Sequence, residues 1–211
     1  MFELYNIEYD KLTHHELHDL YSLRCGVFKE RLNWNVPTRK GLEYDEYDNQ
    51  SANYIFGKVG GILVCSVRLI ESKSKTMISG VFKRNFEELD LPSEKYLEAS
   101  RLFVDKKSSR KLKIHNQPLS TLLFLSMINY SKLMGYSNVY AVVSFEMFLI
   151  FRRTGWMIKV LSEGVSEYSE RILFVSMPTD DENQHIMIEK IKSYPASKLM
   201  SLDSWPLLLK L

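Results

Sequence analysis

The chain of 211 residues carries 28 basic and 26 acidic side chains, a formal net charge of +2. So small a charge offers no electrostatic ground for a nucleic-acid partner, and no run of roughly 18 apolar residues is present to span a membrane. At 45% hydrophobic and 26% charged residues, the composition is that of a globular protein, and the length suits one domain with a substantial core. Cys25 and Cys65 form no CxxC, and the opening "MFELYNIEYDKL" has acids where a secretory signal has basic residues. The expectation is a cytoplasmic protein with two free thiols.

In chain order, "FELYNI" reads as a first strand. Residues 14–33 read as a helix with an apolar stripe of Leu17, Leu20, Tyr21, Leu23, Val27 and Phe28. A loop over 36–50 follows, broken by Pro37 and Gly41. "NYIFGKV" and "ILVCSVRLIES" read as strands joined at Gly60-Gly61, a hairpin signal. "YLEASRLFVDK" is a further strand, and "KKSSRKLKIHNQ" a basic loop. Pro118 opens a helix that Gly135 stops. "NVYAVVS" reads as a central strand buried on both faces, and Ser144 caps a short helix ending near Gly155. "WMIKVLS" and "RILFVSM" are late strands, 180–194 a last helix, and the tail a return to the sheet. Hairpins first, then strands alternating with helices, predict a single-domain α/β fold: an α-β-α sandwich with a mixed central sheet.

The informative positions break this pattern. Arg24 lies on the apolar stripe of the first helix. Arg68 shares a strand face with Ile62, Val64, Ser66 and Ile70. On the next strand, alternation separates Glu98 and Ser100 from Arg101, and a bulge would reunite them. The loop "GLEYDEYDNQ" crowds Glu43, Asp45, Glu46 and Asp48 into six positions. Three readings stay open: a structural salt-bridge cluster, which need not add stability; a seat for a zwitterion, gripped by arginines and acids; and a metal site. The last is weakest, because the calcium-loop spacing and a nearby His pair are both missing. His14, His15, His18, His115 and His185 form no catalytic pattern, and neither GxSxG nor a phosphate-binding GxxxxGK[ST] is present.

The blocks "LRCGVFKERLNWNV", "EYDEYDNQSANYI", "CSVRL", "GVF" and "EASRLFVD", in this order and spacing, resemble the acyl-homoserine-lactone synthases, the autoinducer synthases of bacterial quorum sensing. The likeness continues through "FLSMINYSKLMGY" and covers essentially the whole chain. It implies an acetyltransferase-like fold with a cleft where two central strands splay. It also places the family's charged and aromatic set on Arg24, Phe28, Trp34, Asp45, Asp48, Arg68, Phe82, Glu98 and Arg101. The implied reaction joins S-adenosylmethionine, a substrate and not a cofactor, to a fatty acyl group delivered by an acidic acyl carrier protein. Residues of about 1–105 would hold S-adenosylmethionine, and about 106–211 the acyl chain.

On that resemblance, Glu98 faces the cleft as general base, and backbone N–H groups near Ser100 and Arg101 polarise the thioester. Phe124, Met127, Ala141 and Val143 would line an acyl tunnel, with Met147 and Ile150 beyond it; for any one of them plain core packing is the equal alternative. Family members that prefer 3-oxo chains often carry Thr at the position of Ala141. With alanine there and Phe124, Met127, Phe148 and Phe151 nearby, a butanoyl or hexanoyl group without a 3-substituent is expected. Lys106, Lys107, Arg110, Lys111 and Lys113 form one basic cluster and Arg152, Arg153 and Lys159 another, candidates for docking the carrier. The nearest rival is an acyl-CoA-dependent N-acyltransferase of the same fold. That class usually holds CoA pyrophosphate on a glycine-rich loop, and "VDKKSSRKLKIHNQ" contains no glycine. A nucleic-acid-binding module would need aromatic residues among the basic ones, and the basic run has none.

Overall fold

The computed structural model describes residues 1–194 and 201–209. The elements in order are β1 (Phe2–Glu8), α1 (His14–Arg24), β2 (Thr38–Arg39), β3 (Leu42–Glu43), β4 (Ala52–Val59) and β5 (Ile62–Glu71). Then come β6 (Leu97–Val104), α2 (Lys106–Lys111), α3 (Leu119–Leu133), β7 (Asn138–Ser144) and α4 (Phe145–Thr154). The chain continues with β8 (Lys159–Val165), β9 (Arg171–Pro178), α5 (Asp181–Lys192) and β10 (Leu207–Leu209). Eight strands form one mixed sheet in the order β10-β1-β4-β5-β6-β7-β9-β8. One face packs on α3 and α5 through Leu122, Phe124, Val139 and Val175, and the other on α1 through Leu20, Phe28, Tyr54 and Ile70. This is the three-layer arrangement predicted. Among the described residues, no helix is long and apolar enough to cross a membrane.

Local chemistry explains most boundaries. Thr13 and Glu16 form a reciprocal capping box that starts α1. Gly60 and Gly61 both have positive φ, 55° and 82°, as the tight turn between β4 and β5 requires. Gly135, at φ 78°, ends the α3 region.

Several expectations need correction. The helix expected over 14–33 is α-helical only to Arg24. Cys25–Arg31 form a π-helix, with Leu32 N donating to Val27 O at 3.1 Å, and the left-handed Asn33, φ 53°, ends it. The basic run is not a loop at its start: Asp105 accepts from Lys107 N and Ser108 N at 3.0 and 3.1 Å and caps α2. Trp156 to Ile158 precede β8 instead of opening it, and Trp156 is anchored by its indole N–H on Pro178 O at 2.8 Å. The tail does return to the sheet as β10 against β1, while 210–211 lie outside the described residues.

The decisive feature is at the sheet centre. β6 and β7 are parallel neighbours that pair only at Leu97–Val139 and Glu98–Tyr140. Beyond Tyr140 they part. Val142, Val143 and Ser144 are therefore half-buried, not fully enclosed as the apolar run suggested.

Candidate active site

β6 carries the predicted bulge. Ser66 pairs with Phe103 and Arg68 with Ser100, so Arg101 and Leu102 together face Val67. Arg101 is left-handed, φ 52°, an uncommon state for a residue with a side chain. The extra residue turns Arg101 toward the same side as Arg68.

Three arginines and three acids meet there. Arg24 donates to both oxygens of Asp48, at 2.7 and 3.0 Å, and through Nε to Glu43. Arg68 donates to both oxygens of Asp45, at 2.6 and 3.1 Å, and its Nη1 lies 2.9 Å from Asp48 Oδ1. Arg101 donates to Glu43 at 3.0 Å and to Asp45 at 2.8 Å. Tyr54 OH donates to Asp48 at 2.7 Å, and Arg68 Nε donates to Ser100 Oγ at 3.1 Å. The six charges cancel. Arg24, Arg68 and Glu43 are completely buried, which only such bidentate pairing tolerates. Burial works against the ionised Asp48, yet Arg24 and Arg68 overcome it and hold its carboxyl well below the usual range. For Arg101, burial prevails and lowers the pKa despite Glu43.

Glu98 was expected to face the cleft. It is 1% exposed, and its two oxygens accept from Met77 N at 3.0 Å and Ile78 N at 2.6 Å. Burial raises its pKa, and those N–H groups with Thr76 oppose the rise. Glu98 thus clamps the segment 76–80. Tyr47 OH, accepting from Val81 N at 3.3 Å, secures the other end of that segment.

A cavity of about 770 Å³ opens beside the network, where β6 and β7 diverge. Asp45, Met77 and Arg101 line its polar part. Trp34, Val36, Phe82, Val142, Val143 and Ile172 give it apolar walls. The π-helix places Phe28 behind Trp34, the rings stacked 5.2 Å apart, with the Arg101 guanidinium 5.8 Å from the Phe28 ring centre. The lining comes from both halves of the chain.

Of the residues singled out from sequence, Arg24, Asp45, Asp48, Arg68, Arg101, Phe28, Trp34 and Ser100 come together, and Phe82 joins them across the cavity. Phe124, Met127 and Ala141 do not reach it. They are buried in the core under α3, where Phe124 packs on Phe151 at 4.6 Å. Met147 packs against that core, and Ile150 is 40% exposed. Lys106, Lys107, Arg110, Arg152 and Arg153 are all exposed. Sequence reasoning left Glu43 without a partner, although it bridges Arg24 and Arg101. Its place in the acidic run was the available signal. Met77, whose sulfur accepts from Arg68 at 3.1 Å, and Tyr54 carried none.

Comparison with known proteins fits this geometry. The autoinducer synthase family model matches residues 8–187. The acyl-homoserine-lactone synthase of Serratia liquefaciens is 44% identical over 195 residues, covering 92% of this chain and 98% of the relative. That of Pectobacterium parmentieri is 41% identical over 207 residues, covering 98% and 95%. A solved CoA-dependent acyl-homoserine lactone synthase, in complex with SAM and isopentyl-CoA, superposes with a TM-score of 0.79 at 20% identity, over 91% of this chain and 90% of that one. At that identity the superposition speaks for the acetyltransferase-like fold alone. The chain belongs to the autoinducer synthase family and is an acyltransferase of the acyl-homoserine-lactone synthase class.

Proposed function

We propose that this synthase moves a butanoyl or hexanoyl group from acyl carrier protein to the amine of S-adenosylmethionine and then closes the lactone. The ammonium first loses a proton. Its nitrogen attacks the thioester carbonyl, the carbon–sulfur bond breaks, and the carrier thiol departs. The substrate carboxylate then displaces the sulfonium at the γ-carbon, releasing methylthioadenosine. No protein nucleophile is required; the second step needs orientation, which can supply much of such a barrier.

The observation that carries this reading is the cavity at the β6–β7 divergence, polar at Asp45 and Arg101 and apolar at Val142, Val143 and Ile172. An amino acid and an acyl chain need those two environments side by side. The complex of a solved relative with SAM and isopentyl-CoA supports the same pairing of reactants. Arg101 and Asp45 contact the methionyl part, and Arg24, Arg68, Glu43 and Asp48 hold those two in place. The β6 bulge at Arg101 presents backbone N–H groups near the thioester oxygen, with Ser100 beside it. Glu98, both oxygens engaged, acts as a positioning residue through Met77.

The acyl chain enters past Val143, whose next neighbour on the same strand face is Ala141. Phe124, Phe151 and Trp156, with ring centres 4.6 to 5.8 Å apart, close the way beyond. That wall supports a short chain without a 3-substituent, since Val143 and the three rings offer a 3-oxo group no hydroxyl. The exposed clusters on α2 and α4 supply positive charge for an acidic carrier. A CoA thioester is the second reading, favoured by the CoA-dependent relatives among the solved structures.

The test is mass spectrometry of products from purified enzyme, S-adenosylmethionine and either hexanoyl-carrier or hexanoyl-CoA. Lactone and methylthioadenosine in equal amounts, formed faster from the carrier, are expected. Faster turnover of the CoA thioester would select the second reading, and no lactone from either would overturn both.

A further inference from the structure

A second polar assembly, separate from the buried charge network, crosses the outer part of the cavity. The turn between β8 and β9, residues 166–170, is hydrogen-bonded within itself. Ser166 Oγ accepts from Tyr168 N and Glu170 N at 3.2 and 3.1 Å, and Ser169 is left-handed. The base of this hairpin is pinned to the segment before β6. Asn85 Nδ2 donates to Val165 O at 2.9 Å, and Ser162 Oγ to Glu88 O at 2.8 Å. Gly164 permits that approach, since a Cβ there would lie 2.3 Å from Asn85 O.

The tip is held differently, by side chains in solvent. Glu167 accepts from Asn35 Nδ2 at 3.3 Å and from Arg84. The Arg84 and Glu167 side chains are 70% and 51% exposed. Asn35, Arg84, Glu167 and Tyr168 all line the cavity, so Glu167 joins two other segments of its wall. Tyr168 is 59% exposed. Its ring gains burial there only when something fills the space.

We propose that residues 166–170 are a strap that closes over the occupied cavity, with Glu167 as its latch on Arg84 and Asn35. Resting on the functional reading above, we assign S-adenosylmethionine as the occupant it covers. A fixed base and a weakly tied tip are what a strap needs, because exposed ion pairs are weak and screened by salt. Glu170 lines the cavity and its carboxylate forms no ion pair among the described residues. With Glu167, it makes the strap acidic, which suits a sulfonium and disfavours the phosphates of a thioester donor.

Hydrogen–deuterium exchange of the whole enzyme tests the latch without any ligand. Glu167→Ala should speed exchange in 34–37 and 166–170 by about fivefold, the scale of an exposed ion pair, and leave α3 unchanged. The swap of Glu167→Arg with Arg84→Glu should restore the slow rate. Unchanged exchange in 34–37, or failure of the swap, overturns the latch. S-adenosylmethionine bound to the native enzyme should slow exchange in 166–170, and its dissociation should quicken by a similar factor in Glu167→Ala. Binding with no slowing in 166–170 overturns the strap. If calorimetry finds no binding while the latch coupling holds, the functional reading and the assigned occupant fall together, and the strap stands.

Discussion

Asp48 accepts from Arg24, lies 2.9 Å from Arg68 and receives the Tyr54 hydroxyl, so it supplies counter-charge to two buried arginines at once. Asp48→Asn would leave two buried guanidiniums short of a counter-charge, and breaking such a pair costs ~3–5 kcal/mol. The pH dependence follows from the direction of its shift. The native carboxyl titrates below the ordinary 3.8, so the contribution is complete above the unfolded value and is lost as pH falls through and below it. Denaturant titrations at pH 7 and in acid should show a large loss for Asp48→Asn at neutral pH and a much smaller difference from the native chain in acid. Glu98 makes a different prediction. Glutamine keeps one oxygen but puts an amide N–H against a backbone N–H, so Glu98→Gln should loosen Met77 and raise KM for S-adenosylmethionine as well as lower kcat. A general base would show instead a lost limb in the pH profile with KM unchanged. The paired arginines and acids were legible because charged residues on apolar faces must find partners. That Glu98 is closed off from the cavity by the segment it holds was not legible, since its partners are backbone N–H groups of a segment with no sequence period.

At the scale of elements, the bulge on β6 and the clamped segment 76–80 set the geometry of the polar wall. The bulge was legible as an option: strict alternation separates Glu98 from Arg101, and an extra residue brings them to one side of the strand. The π-helix at Cys25–Arg31 was not, because an apolar stripe of period 3.6 looks the same until the i→i−5 bond forms. The capping of α2 by Asp105 was hidden by the run of basic residues after it. Gly80 offers the sharpest test of the clamp. A Cβ there would lie 2.3 Å from the Tyr47 hydroxyl and 3.1 Å from Thr76 O. Gly80→Ala should therefore push Tyr47 from Val81 and move Met77 and Phe82. Displacement near 1 Å at a reaction site costs up to about 100-fold in rate. Steady-state kinetics should show a loss of that order, with circular dichroism unchanged; native activity would mean the segment's position does not matter.

The whole molecule is one sheet that opens at its centre. β1, β4 and β5 with α1 and the acidic loop form one lobe, tied together by the buried ion pairs of Arg24 and Arg68. β7, β8 and β9 with α4 form the other side, and the cavity lies where β6 leaves β7. The sandwich and its mixed sheet were legible from hairpins followed by βα alternation. The place of the apolar chamber was not. Phe124, Met127 and Ala141 are packed as core, and apolar periodicity does not distinguish a core face from a tunnel wall. The opening depends instead on how few residues of β6 and β7 pair, a property of two strands far apart in sequence. The division into an S-adenosylmethionine half and an acyl half becomes, on this account, a division between the two walls of one chamber. A crystal structure of the enzyme soaked with S-adenosylmethionine tests this most directly. The ligand is expected between Trp34, Phe82 and Arg101, with its amine toward the β6 bulge and Tyr168 over it. Ligand bound anywhere outside that chamber, or on the α3 face of the sheet, would contradict it.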